Sequence, residues 1–165
     1  MKRFVLLLAL SAISLAFMCY VNDGPNNDKR FTKENVYQAI KKANIMYPDV
    51  VFAQIMLESG NLKSDLTKKN NNFLGMKMPS KRETTAVGEL HGYAQYFDWE
   101  GCVNDYALYQ NYVLRKKTMS RNQYIAFIGK KYSQCGAYKS RIMRVIKENR
   151  NFVKTQDSVY YCSTM

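Results

Sequence analysis

The chain has little histidine, proline, glycine, tryptophan or acid. It holds one His, three Pro, eight Gly and one Trp in 165 residues. A single histidine removes zinc sites built on several, and no HExxH, paired CxxC or D-x-D-x-D-G loop occurs, so no metal is expected. Neither G-x-x-x-x-G-K-[ST] nor G-x-G-x-x-G is present, which argues against a bound nucleotide, and no cofactor of any kind is expected. The scarcity of Pro and Gly excludes collagen-like and low-complexity classes, and no internal repeat of useful period is found. Acid is short as well: 13 Asp and Glu stand against 25 Lys and Arg, a net charge of +12. Apolar residues make up 47% of the chain, enough for a single buried core and too many for a disordered polymer.

The one long hydrophobic run is N-terminal. Phe4 to Phe17 follows Lys2-Arg3 and is apolar but for two serines. It is shorter than the stretch of about 20 residues that spans a bilayer. Basic start, short apolar run and small residues read as a secretory signal, with Ser14 and Ala16 suited to cleavage after Ala16. Cys19 raises lipoprotein processing instead, against which stand bulky Phe17 and Met18; a retained anchor helix is the remaining alternative. Residues 1–19 are therefore expected to be an export signal and the protein to work in the periplasm, the cell envelope or outside the cell. Removing residues 1–16 takes away Lys2 and Arg3 and no acid, so the net charge falls from +12 to +10. Such a protein expects a polyanion, whether wall polymer, lipid headgroup or nucleic acid. Cys19, Cys102, Cys135 and Cys162 allow three pairings in an oxidising compartment, and free buried thiols at Cys102 and Cys135 are the alternative.

Residues 20–31 are polar, with Gly24-Pro25, and read as a linker. Thr32 is placed to cap a helix to about Ala43. Pro48 and Gly60 fit the start and end of a second helix whose VVFAQIMLES stretch is apolar nearly all round, hence buried. Asn61 to Lys81 reads as irregular chain. Thr84 to Phe97 predicts a hairpin turning near Glu89–Gly92. Asp98 caps a helix from Trp99 to about Arg115, Ser120-x-x-Gln123 is a capping box opening another to about Lys131, and a last helix is predicted over 137–153. The expectation is a mainly α, α+β architecture: about five helices in residues 32–154, a small β-hairpin lobe over a cleft, and a tail at 155–165.

Glu58 ends the buried helix. Apolar neighbours and the negative end of the helix dipole both disfavour its charged form, and a protonated carboxyl is what glycoside hydrolysis requires of its general acid. The bland alternative is a helix-end Glu that reaches water or pairs with Lys63 or Lys68.

Four segments, in order, carry a resemblance. Ala53-Gln54-Ile55-Met56-Leu57-Glu58-Ser59-Gly60 resembles the A-Q-x-x-L-E-S-G segment of the bacterial glucosaminidases, glycoside hydrolase family 73, which includes the peptidoglycan-cleaving domain of flagellar rod-assembly proteins. Asn71-Asn72-Phe73-Leu74-Gly75-Met76-Lys77 is similar to its N-N-L-F-G-I-K stretch, Tyr96 with Asp98 to Tyr106 to its Y-x-S-x-x-x-S-x-x-D-Y helix start, and Tyr132-Ser133 to Tyr138 to its Y-A-T-D-x-x-Y segment. The resemblance implies a lysozyme-like fold and hydrolysis of the β-1,4 bond after N-acetylglucosamine in peptidoglycan. It implies Glu58 as catalytic acid and Asn72 and Gly75 as residues of the substrate cleft, although turn chemistry and a positive φ explain the latter two equally well.

The chain departs from the family in the β-lobe. Thr84-Thr85-Ala86-Val87 stands where many members have T-x-E-Y, so the second carboxylate is missing. Glu89 near the hairpin tip is the substitute chosen, ahead of Glu83 and Asp98; without one, the substrate's own 2-acetamido group would serve as nucleophile. Tyr93, Tyr96, Trp99 and Tyr132 are candidates to stack on sugar, with Tyr93 and Tyr132 preferred as substrate-binding residues. His91 reads as a solvent-facing turn residue. The partner expected is a peptidoglycan glycan strand met by a monomer, with no nucleic acid or nucleotide, and with membrane contact only if Cys19 is lipidated. Rival readings are a lytic transglycosylase using the same Glu58, a non-catalytic wall-binding protein, and a nucleic-acid binder using Lys139, Arg141, Arg144, Lys147 and Arg150, a row better read as a solvated face.

Overall fold

A computed structural model describes residues 31–115, 117–132 and 137–164, without the side chains of residues 132, 163 and 164. The expected export signal, Cys19 and Cys135 lie outside the described residues, as does nearly all of the linker.

Among the described residues seven helices and one hairpin follow in order: α1 (Lys33–Lys42), α2 (Pro48–Glu58), α3 (Asp65–Asn70), β1 (Gly88–Leu90), β2 (Tyr93–Gln95), α4 (Trp99–Leu114), α5 (Arg121–Tyr132), α6 (Tyr138–Glu148) and α7 (Arg150–Thr164). The mainly α architecture with a small β-lobe is thus as expected, with two helices more than the sequence suggested. The first extra helix, α3, lies in the stretch read as irregular. It has six residues, too few to show a period, and rests on its Ser64 cap, whose Oγ accepts from Thr67 N at 3.2 Å. The second comes from a break in the last helix at Asn149. Its Nδ2 donates to the Val145 carbonyl at 2.9 Å, an acceptor it shares with its own backbone N–H at 3.1 Å. The chain then continues as α7, so residues 155–164 are helical rather than a trailing tail. Asp157 of α7 ties back to α1, accepting from Lys41 Nζ at 2.8 Å and Tyr37 Oη at 3.0 Å.

The predicted caps form. Thr32 Oγ1 accepts from Asn35 N at 3.1 Å, and Asp98 Oδ1 from Gly101 N at 2.8 Å. Ser120 and Gln123 exchange both bonds of a capping box, at 2.8 and 3.4 Å.

Helix α2 is the centre of the core. Seven of its residues, Val50 to Met56, are buried, which matches a sequence without a polar face. Aromatic contacts surround it: Phe52 packs edge-on to Tyr37 of α1 at 5.5 Å and stacks on Phe152 of α7 at 5.1 Å. Phe31, placed in the linker by composition, packs edge-on against Phe73 at 5.6 Å. No helix among the described residues is long and apolar enough to cross a membrane.

Strands β1 and β2 are antiparallel, with Glu89 opposite Ala94 and Leu90 opposite Tyr93. The two turn residues, His91 and Gly92, both have positive φ, 56° and 76°, the condition for the turn that matches strand twist in a two-residue hairpin. His91 is exposed there, as expected.

Candidate active site

Glu58 is the last residue of α2 and is exposed. The apolar surroundings anticipated for it belong to its helix, not to its carboxyl, and it forms no ion pair with Lys63 or Lys68. What is buried is the next residue. Ser59, 0% exposed, donates its hydroxyl to the Ile55 carbonyl at 2.6 Å and accepts from Leu62 N at 2.8 Å. Gly60 then takes φ 58°, and Asn61 N reaches back to the Met56 carbonyl at 2.8 Å. That six-to-one bond past a left-handed glycine ends the helix sharply. The carboxylate therefore projects from a stiff platform, anchored by core on one side and by a pinned turn on the other.

Three consecutive asparagines connect this platform to the hairpin. Asn70, 1% exposed, donates Nδ2 to the Leu90 carbonyl at 3.0 Å, and its own carbonyl accepts from Tyr96 N at 2.9 Å. Asn71 donates to the carbonyls of Tyr96 and Phe97, both at 3.1 Å. Asn72, 1% exposed, donates to Met76 and Ala94 carbonyls at 2.9 and 2.8 Å and accepts from Leu74 N and Met76 N at 3.3 and 3.0 Å. Two donors and two acceptor sites are then all engaged within the protein. Asn72 shapes the turn from beneath. Gly75, on that turn, has φ 62°; a Cβ there would sit 3.8 Å from the Tyr93 ring, ordinary contact, so backbone conformation rather than space selects glycine.

Tyr93 is exposed on β2, with Lys77 Nζ 5.5 Å from its ring centroid. Glu89 is exposed on β1. The fold thus gathers Asn72, Gly75 and Tyr93 around one turn and carries Glu89 on the neighbouring strand. Among the described residues no hydrogen bond or ion pair joins Glu89 to Glu58. Ala86, within the stretch that departs from T-x-E-Y, is partly buried against the core, and Glu83 is exposed. Asp98 caps α4. Tyr132 ends α5, with its side chain outside the described residues.

Two aromatic candidates for sugar stacking are corrected. Trp99 is 5% exposed and packs on Phe73 at 6.2 Å; Tyr96 is 2% exposed. Both side chains face inward because they flank the Asp98 cap, where the chain enters α4 over the core.

Sequence reasoning missed the buried polar networks of α4. Asp105, 0% exposed, accepts a bidentate pair from Arg82 at 2.6 and 2.8 Å and the Tyr96 hydroxyl at 2.8 Å. Burial alone pushes the Asp105 carboxyl up, but hydrogen bonds from Arg82, Thr84 and Tyr96, with the Arg82 charge, outweigh it and hold it below the usual carboxylate range. Arg82 is thereby no surface charge: it clamps residues 82–87 to α4, where Thr85 Oγ1 also donates to the Gly101 carbonyl at 2.7 Å. A second chain runs under α2. Tyr106 Oη donates to Gln54 Oε1 at 2.8 Å and lies 2.7 Å from Tyr124 Oη, to which Gln110 Nε2 donates at 2.9 Å. The signal was present: Asp105 interrupts the inner face of α4, and Gln54 interrupts the apolar run of α2.

The model of the glucosaminidase family, described as mannosyl-glycoprotein endo-beta-N-acetylglucosaminidase, matches residues 34–151. The chain belongs to the glucosaminidase family. It is accordingly a glycoside hydrolase, and the platform under Glu58, the asparagine-held turn and the hairpin all fall within the matched residues. The crystal structure of the catalytic domain of the autolysin Auto from Listeria monocytogenes has a similar fold, with a TM-score of 0.50 and 21% identity over 86% of this chain and 94% of that one. No curated protein matches.

Proposed function

We propose that this glucosaminidase is exported and hydrolyses the β-1,4 bond after N-acetylglucosamine in peptidoglycan glycan strands, as a monomer, with Glu58 as general acid. The observation that carries the assignment is the exposed carboxylate, without an ion-pair partner among the described residues, at the end of a helix that is otherwise core. Its backbone is held by the Ser59 turn, so the group is pre-positioned while its oxygens stay free for a glycosidic oxygen. A glycan strand lying over it brings the glycosidic oxygen to the carboxyl that protonates the leaving group. Gly75 and Tyr93 line the strand's path, with Asn72 setting the turn that presents them, and Tyr132 adds a further sugar contact. Glu89 is the proposed second carboxylate, carried on a hairpin that the asparagine triplet ties to the chain leaving Glu58. If Glu89 does not act, the 2-acetamido group of the sugar does. Export rests on residues 1–19 as the signal, with 20–31 as linker to the catalytic domain.

The test is mass spectrometry of purified peptidoglycan digested with the full chain and with Glu58→Gln. The proposal expects fragments ending in reducing N-acetylglucosamine, lost with the variant. A 1,6-anhydro-muramic end would make the protein a lytic transglycosylase. Binding without fragments from either protein would refute catalysis on this polymer.

A further inference from the structure

A cleft of about 490 Å³ opens between residues 75–82 and the C-terminal half of α4, with Lys131 of α5 also lining it. Its size falls in the range of ligand sites, about 300–1,000 Å³. One wall is aromatic and firmly built. The Arg82 guanidinium, fixed by Asp105, lies 5.8 Å from the Tyr109 ring centroid, and Tyr109 backs onto Tyr106 at 5.7 Å. Tyr112, 40% exposed, adds an open ring face one turn along.

The charge of the cleft is one-sided. Lys77, Lys81 and Lys131 line it and no carboxylate does. The Arg82 charge is engaged by Asp105, whereas Lys81 and Lys131 are exposed and have no ion-pair partner among the described residues. The cleft also starts at Gly75, on the turn assigned above to the glycan. A bare sugar ring needs the aromatic wall but not three ammonium groups. An anionic branch of the same strand uses both.

We propose that this cleft is a subsite for the carboxylate-bearing stem peptide of the glycan strand, making the enzyme selective for peptide-substituted over stripped glycan. The inference rests on the peptidoglycan reading above. Tyr109 and Tyr112 supply apolar faces for the sugar edge and the small side chains of the stem. Lys81 and Lys131 supply mobile charges that follow carboxylates on a flexible branch.

The test compares kcat/KM of the full chain on uncross-linked glycan strands carrying stems and on the same strands stripped of peptide by an amidase, which leaves one lactyl carboxylate against each muramic ring and removes the carboxylates that the stem carries further out. The wild type is expected to prefer the stem-bearing strands by about five- to tenfold, as two exposed ion pairs give. In Lys81→Ala/Lys131→Ala that ratio falls towards one, chiefly through KM; raised salt lowers it in the wild type, and Lys81→Arg/Lys131→Arg restores it. Purely structural damage would lower both rates together and leave the ratio in place. A wild-type ratio near one, or a ratio that the double alanine variant does not move, overturns the subsite alone. Failure of the wild type to cut either strand overturns the peptidoglycan reading, and the subsite with it.

Discussion

Replacing Asp105 by Asn tests whether the buried ion pair holds the β-lobe connection to α4. The carboxylate is fully buried and receives Arg82, Tyr96 and Thr84 as donors. An amide of the same shape removes the charge and turns an NH2 towards one of those donors. Arg82, with a side chain only 8% exposed, is left without a counter-charge, and breaking a buried pair in this way costs about 3–5 kcal/mol. That is a large share of the 5–15 kcal/mol, roughly, by which domains are stable. Urea denaturation followed by circular dichroism at pH 7 should show the loss at unchanged slope. In Arg82→Met/Asp105→Leu, which fills the same space without charge, most of the stability should return. The pH dependence has a fixed sign. The folded carboxyl titrates below its unfolded value, so its contribution is complete above the ordinary carboxylate range and disappears as pH falls through the lowered folded value. The gap between wild type and Asp105→Asn should therefore narrow in acid. A loss under about 1 kcal/mol, or single effects that add without coupling in the double-mutant cycle, would refute the reasoning.

Asn72→Ala should destabilise the protein by about 2–4 kcal/mol, because it strands two buried carbonyls and two amides at once, and activity should fall in the fraction that remains folded; thermal melts with rate measurements check this. Glu89→Gln should lower the rate on peptidoglycan at least about tenfold if Glu89 is the second carboxylate, and leave it intact if the 2-acetamido group acts; either way the melting temperature should stay put, since Glu89 is exposed. Cys102 is buried with its thiol pushed up to about 12 by burial, so alkylation of the native protein at pH 8 should spare it and label exposed Cys162, as peptide mapping would show.

Much of the site was legible because its signals are local. Pro48, the apolar run broken only by Gln54, and Gly60 define α2 and set Glu58 at its end, since a helix without a polar face must be core and a glycine past its last residue must turn it. The capping residues of α1, α4 and α5 and the turn at His91-Gly92 were readable for the same reason: each is a short-range bond between residues two or three apart. Six residues of α3 carry too little period to be seen, and the break at Asn149 falls inside an apolar spacing that runs on to Phe152 and Val153.

What the sequence by itself determined is the mainly helical fold, the family motifs and the carboxylate at the end of the buried helix. What only the tertiary structure decided is who meets whom across long separations. Asn70 to Asn72 meet the hairpin and the two residues that follow it, twenty to twenty-six residues on, and Arg82 meets Asp105 twenty-three residues on. Sequence reasoning gave Arg82 no role and offered Tyr96 and Trp99 to sugar. The fold buries Trp99 against Phe73, and it draws Arg82 and Tyr96 inward because a carboxylate on the inner face of α4 must find a cation and hydroxyls once water is excluded, and chain geometry supplies these from residues that carry no local mark of that duty.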